Sequence, residues 1–184
     1  KISYSLCSVV ERIYVMKYWI KTPFFIPYLF TGLKWRFSKK APTLYLTFDD
    51  GPSASVTESI LKILNETKVT ASFFCIGRNV KKNQNLFKKI KAEGHSIGNH
   101  SMNHPNGWKV DENFYLKDIE NASMLINSNL FSPPYGKINF KSISSLKKKF
   151  KIIMWDIVSG DFDPSLSTEN IVDNVVKNAR NGSI

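Results

Sequence analysis

Two adjacent carboxylates, Asp49 and Asp50, close the apolar run of "LYLTFDDGPS". Further along, His100 and His104 stand at i, i+4 in "NHSMNH". In a helical turn that spacing puts both imidazoles on one face, about 6 Å apart, as a shared cation requires. Two imidazoles and one carboxylate form a ligand set that leaves positions open for water and substrate. Asp49 or Asp50 can complete it, and the neighbouring acid then stays free to act as a base on the activated water. A cation beside the pair also offsets their mutual repulsion. The plainer role for Asp50, ahead of Gly51 and Pro52, is an N-cap. That role accounts for one aspartate and leaves the histidines unexplained. All three histidines of the chain fall between positions 95 and 104.

Positioning these groups is the work of the surrounding elements. From residue 43 onward, strand-like and helix-like runs alternate. "TLYLTF" reads as a strand, and "SASVTESILKILNET" follows with Val56, Ile60, Leu61 and Leu64 at helical spacing. "TASFFCIG" is a second strand, "NVKKNQNLFKKIKAEG" a helix stopping at Gly94, and "HSIGN" a third strand. A helix capped by Asp111, a short strand "NLFS", a helix capped by Asn139, the strand "KIIMWDIVS" and a helix from Ser167 to Gly182 complete the pattern. Repeated β–α units imply parallel strands with crossover helices, hence one α/β domain, either an open sheet or a closed barrel. "DDGP", "NHSMNH", "SPPYG" and "SGDFD" each follow a strand. In parallel α/β folds the loops at the carboxyl ends of the strands converge on one face, where the site lies.

The 184 residues suit one domain with a sizeable core. A formal net charge of +11 suits a polyanionic partner or simply a lysine-rich solvated surface. No nucleic-acid-binding signature accompanies it, so no nucleic acid is expected as a partner. Cys7 and Cys75 form no disulfide framework. Residues 1–40 read as an apolar, aromatic extension, broken by Pro23 and Pro27, and residues 41–184 as the α/β domain. Within the extension, residues 1–37 offer a peripheral membrane contact, although the uncharged run is too short to span a bilayer and no clear signal peptide is present.

"TFDDGPS", "GHSIGNHSMNHP", "SPPYG" and "WDIVSGDFD", in this order, resemble the polysaccharide deacetylase (NodB-homology) family of carbohydrate esterases over roughly residues 43–184. The resemblance implies a distorted (β/α) barrel. It implies Asp49 as catalytic base, Asp50, His100 and His104 as ligands of one divalent metal ion, usually zinc, and Tyr135 as donor of an oxyanion-binding N–H. Pro133 and Pro134 would shape the groove wall, and Phe162 would line the acetyl pocket. Asp161 would set the charge state of the base through an arginine, and His95 would be a core residue. The implied reaction is hydrolysis of N-acetyl groups on a hexosamine polymer such as peptidoglycan or a chitin-like glycan. A wall substrate implies a place at the cell envelope or membrane.

Two departures stand out. Ser132 occupies the place of the family's usual arginine, so Asp161 loses its expected cationic partner. The family's final Leu-x-His motif, which supplies a general acid, has no counterpart before Ile184, so the expected barrel is incomplete at its last strand. The alternative expectation is therefore a weak or inactive relative that binds glycan.

Overall fold

A computed structural model describes residues 18–40 and 42–184. Cys7 and most of the apolar extension's first half lie outside the described residues. Among the described residues, strands β1 (Thr47–Phe48), β2 (Ser72–Cys75), β3 (Ser96–Asn99), β4 (Leu130–Phe131) and β5 (Lys151–Ile152) form one sheet in the order β1-β2-β3-β4-β5. Every neighbouring pair is parallel. The α-helices among the described residues are α1 (Ile26–Leu29), α2 (Thr57–Thr67), α3 (Gly77–Lys82), α4 (Gln84–Ala92), α5 (Glu112–Ile126), α6 (Ile143–Lys149) and α7 (Thr168–Val176). Each strand is thus followed by helix that returns the chain to its starting edge, the right-handed crossover logic of α/β folds.

Strand alternation divides the core. Phe73 and Cys75 of β2 face outward into a cluster with Leu61, Leu64, Val80, Ile90 and Ala122, from α2, α3, α4 and α5. Phe74, one residue out of phase, turns the other way to meet Ile153 and Ile184. Its ring occupies the space above Gly98, where an added Cβ would stand 2.2 Å from a ring carbon, so no side chain fits at Gly98. A third cluster joins Tyr115 and Ile119 of α5 to Phe131, Leu146, Ile152 and Met154.

The wall continues beyond β5 through the N-terminal segment. Lys34 pairs in parallel with Ile153, Arg36 pairs antiparallel with Ser183, and the Tyr45 N–H donates to the Ser183 carbonyl at 2.9 Å. Hydrogen bonds therefore lead from β5 back to the approach to β1, the arrangement of a distorted barrel. Residues 34–37, on the extension side of the division at residue 40, are part of that wall.

Several helix boundaries differ from the sequence expectation. The second helix is broken at Asn83, whose side chain donates to the Pro52 carbonyl at 3.1 Å and so ties the break to the "DDGP" turn. The first helix begins at Thr57 rather than Ser53, because Ser53 forms a turn onto the Thr57 hydroxyl. The last helix ends at Val176 rather than Gly182. Beyond it Arg180 turns inward to the buried Asp156, with Nη2–Oδ1 at 2.9 Å and Nε–Oδ2 at 3.2 Å, while the Ser183 hydroxyl donates to Oδ2 at 2.9 Å.

Burial alone would raise the Asp156 carboxyl, but Arg180 and Ser183 outweigh it and hold the carboxyl below its ordinary value. A depressed folded-state pKa contributes stability above the ordinary carboxylate range, and that contribution is lost as pH falls through the folded value. Asp156→Asn should cost about 2–3 kcal/mol near neutral pH. This is less than for a fully buried pair, because Arg180 keeps part of its surface in water. Thermal melts should show the gap between the two proteins closing in acid.

Candidate active site

The carboxyl ends of β1, β3, β4 and β5 lead into "DDGP", "NHSMNH", "SPPYG" and the 155–163 segment. Hydrogen bonds lock the first two together: the Ile76 N–H donates to the Gly51 carbonyl at 2.9 Å, Asn79 Nδ2 to the Asp50 carbonyl at 2.7 Å, and the Gly77 N–H to the Ser101 carbonyl at 2.9 Å. Gly77 fits this close approach, since a Cβ there would lie 2.4 Å from Met102 Sδ and 3.3 Å from Ala122, so a larger residue would require Met102 to move.

Asp50, His100 and His104 converge. Asp50 Oδ1 lies 3.4 Å from His100 Nε2 and 3.0 Å from His104 Nε2, and all three donor atoms are within 4.8 Å of one another. Two donors each about 2.1 Å from one ion, at angles near those of a tetrahedral or octahedral shell, stand about 3.0–3.4 Å apart. The His100 Nδ1–H donates to the Ser132 carbonyl at 2.7 Å, which leaves the Nε2 lone pair aimed at the shared point. The set therefore fits a divalent cation by distance, donor type and tautomer. Of the two aspartates, Asp50 is the one placed as a ligand. Asp49 sits outside this triad, with Oδ2 3.8 Å from His100 Nε2 and accepting from the Ser132 hydroxyl at 3.3 Å.

The electrostatics separate the two acids. Contacts to His100 and His104 hold the Asp50 carboxyl well below its ordinary value. Loss of solvent raises Asp49; the Asp50 charge adds to this, while His100, His104 and the Ser132 hydroxyl oppose it. Burial would lower the His100 pKa, but the two carboxylates and the Ser132 carbonyl outweigh it and raise it; a cation at the shared point would compete with that proton for Nε2. Cys75, beneath the site, is pushed up to about 12 by burial and by Asp49, so its thiol is no nucleophile.

Six non-glycine residues among those described have positive φ. Lys68 and Asn127 are ordinary left-handed helix caps. The other four, Asp50 (φ 70°), Ser101 (64°), His104 (62°) and Tyr135 (59°), all belong to the site. Each such conformation costs on the order of 1 kcal/mol or more and persists only where its surroundings impose it.

Buried polar groups that the motif reading missed impose it here. Asn99 Oδ1 accepts from the Ser101 N–H at 2.7 Å while its Nδ2 donates to the Ile119 carbonyl and the Ser123 hydroxyl. The Ser101 hydroxyl accepts from the His104 N–H at 3.0 Å. Asp118 of α5, only 3% exposed, accepts from the Met102 N–H, the Asn103 N–H and Asn103 Nδ2 at 2.8, 3.0 and 2.6 Å. A signal did exist: Asp118 is an acid set between Tyr115, Ile119 and Ala122 on the apolar face of its helix. Asp118→Asn keeps one acceptor oxygen and replaces the other by an NH2 that meets a donor, since three N–H groups converge on the two oxygens. It should weaken metal affinity about 10–100-fold, with a much smaller loss of kcat at saturating metal, measurable by competition with a chelating dye.

The remaining expected residues are dispersed around this centre. Pro133 and Pro134 are buried, and the Gly136 N–H donating to the Pro133 carbonyl at 2.9 Å closes the tight turn that holds Tyr135. The Tyr135 ring packs 4.5 Å from that of His104. Phe162 is 63% exposed and lies against the Tyr18 ring at 4.8 Å. Asp161 is exposed and accepts from the Ser159 hydroxyl at 2.7 Å. Asp161 stands in water, where a carboxylate needs no cationic partner. It is Ser132, at the arginine's place, that reaches the base. His95 lies in the core, its Nδ1 accepting from the Ala71 N–H at 3.3 Å.

The sequence pattern of the polysaccharide deacetylase family matches residues 37–150. A peptidoglycan-N-acetylglucosamine deacetylase of Bacillus cereus is 36% identical over 146 residues, covering 76% of this chain and 53% of that protein. A chitooligosaccharide deacetylase of Azorhizobium caulinodans is 31% identical over 157 residues, covering 81% and 74%. A solved peptidoglycan N-acetylglucosamine deacetylase, bound to a benzamide ligand, superposes with a TM-score of 0.81 at 32% identity, covering 88% of this chain and 78% of that one.

Proposed function

Since this chain belongs to the polysaccharide deacetylase family, we propose that it hydrolyses N-acetyl groups on an N-acetylhexosamine polymer, of peptidoglycan or chitin-like type. The observation that carries this reading is the convergence of Asp50, His100 and His104 on one point with Asp49 poised beside it. Asp50, His100 and His104 would hold a divalent cation at that point, zinc in our reading, which would supply Lewis acidity toward the acyl oxygen and water.

The chain's own groups do the rest. Asp49 takes the proton of the attacking water at a carboxylate oxygen; its raised proton affinity makes it a better acceptor than Asp50. The Ser132 hydroxyl holds Oδ2 in place. The Tyr135 N–H, fixed by the left-handed turn after Pro134, donates to the oxygen on which charge builds. The C–N bond then breaks, acetate departs, and the amine takes up a proton, adding positive charge to the glycan. A peptidoglycan substrate would put the protein at the cell envelope.

Release of acetate from N-acetylated chito-oligosaccharides and from peptidoglycan fragments, with and without chelator, tests this. A folded, zinc-loaded chain that binds glycan yet releases no acetate overturns it in favour of a glycan-binding relative. Ser132 at the arginine's place is the observation on that side.

A further inference from the structure

Between Tyr18 and Phe30 the chain leaves the barrel wall and returns to it. It is tied down at both ends: the Thr22 N–H and hydroxyl donate to the Asp156 and Trp155 carbonyls at 2.8 and 2.7 Å, the Val158 N–H donates to the Ile20 carbonyl at 2.8 Å, and the Lys34 N–H donates to the Ile152 carbonyl at 2.8 Å. The excursion between these ties exposes Phe24 (76%), Tyr28 (72%) and Leu29 (69%), with Phe25 at 44%, and Trp19 (61%) stands exposed just before the first tie. So dense a group of exposed large apolar side chains marks a contact surface. Pro23 and Pro27 keep it a compact loop, and among the described residues no helix is long and apolar enough to cross a membrane.

Two observations name the occupant. Residues 18–40 carry Lys21, Lys34, Arg36, Lys39 and Lys40 and no acidic residue, within a chain of net charge +11. Lysine is depleted at protein–protein interfaces but attracts anionic headgroups. The apolar group itself includes Trp19 and Tyr28, the side-chain types that settle at headgroup depth with an apolar body inward and a polar tip in water. We propose that the loop of residues 19–29 docks this protein on an anionic phospholipid surface. Tyr18, at the loop's start, packs on Phe162 and donates to Asp163 at 2.9 Å, and Thr22 is bonded to Trp155. The loop therefore hangs from the segment at the carboxyl end of β5, and docking holds the catalytic face beside the lipid, where glycan attached to or lying against the membrane is within reach. This last point rests on the proposed deacetylase reading; the docking itself does not.

Vesicle sedimentation tests it with no need for turnover. The full chain should pellet with vesicles of equal parts phosphatidylcholine and phosphatidylglycerol, less with phosphatidylcholine alone, and less as salt rises. The exposed double substitution Phe24→Ser, Leu29→Ser should lower partitioning about tenfold or more, with an unchanged melting temperature and unchanged acetate release from a soluble oligosaccharide. As an independent readout, brominated lipid should quench tryptophan fluorescence, and Trp19→Phe should remove most of that quenching. Failure to bind either vesicle, or equal binding by the double variant, overturns the proposal. A dimer seen by light scattering and abolished by the double substitution also overturns it and assigns the patch to a second copy. Vesicle binding without acetate release from any substrate leaves docking standing and removes the deacetylase reading instead.

Discussion

Asp49→Asn should lower kcat/KM for acetate release about 10²–10⁴-fold while leaving one metal ion per chain. Asn is nearly isosteric and still accepts a hydrogen bond from the Ser132 hydroxyl, but it takes no proton from water. Asp49 lies outside the triad of donor atoms, so metal content should not change. Elemental analysis alongside a rate measurement decides the matter; an Asn variant with wild-type rate would show that another group is the base. The pH profile gives the same residue a second test. A general base works deprotonated, so activity is lost as pH falls through its pKa. Loss of solvent raises that value and the Ser132 hydroxyl lowers it. Ser132→Ala, compared at equal metal loading, should therefore move the acid limb of the profile to higher pH.

Asp50→Ala should abolish activity by a different route. It removes the oxygen shared by both imidazoles, 3.0 and 3.4 Å away, and with it the only anion in the triad. Metal affinity should fall by more than about a hundredfold, beyond what loss of a supporting residue costs. Dialysed protein should contain almost no metal and release no acetate at micromolar metal. Melting temperature in chelator should fall modestly, because the variant loses the contacts to His100 and His104 and puts alanine at a positive φ, so metal loss is read from protein shown to be folded at the assay temperature. A variant that keeps a full equivalent of metal after dialysis would show that the ion sits elsewhere. The two substitutions thus separate proton transfer from metal retention.

Much of this site was legible in the chain as letters. Local chemistry made it so: carboxylates at a strand end and imidazoles four apart state their function without reference to distant residues, and β–α alternation brings such loops to one face. Residue type and spacing left open which aspartate meets the histidines, and the family resemblance named Asp50; the structure supplies the reason, because Asp50 takes a left-handed conformation that turns its oxygen toward them and leaves Asp49 against Ser132. Tertiary structure alone showed that Asp118 and Asn99 support the histidine loop, since those contacts cross from helix α5 and strand β3. It also moved residues 34–37 from extension to barrel wall, because strand pairing is a contact between segments far apart in sequence and leaves no local pattern. Residue type and spacing determined the chemistry available to this protein; which groups share a point in space was settled by backbone strain and long-range hydrogen bonds that only the packed fold can impose.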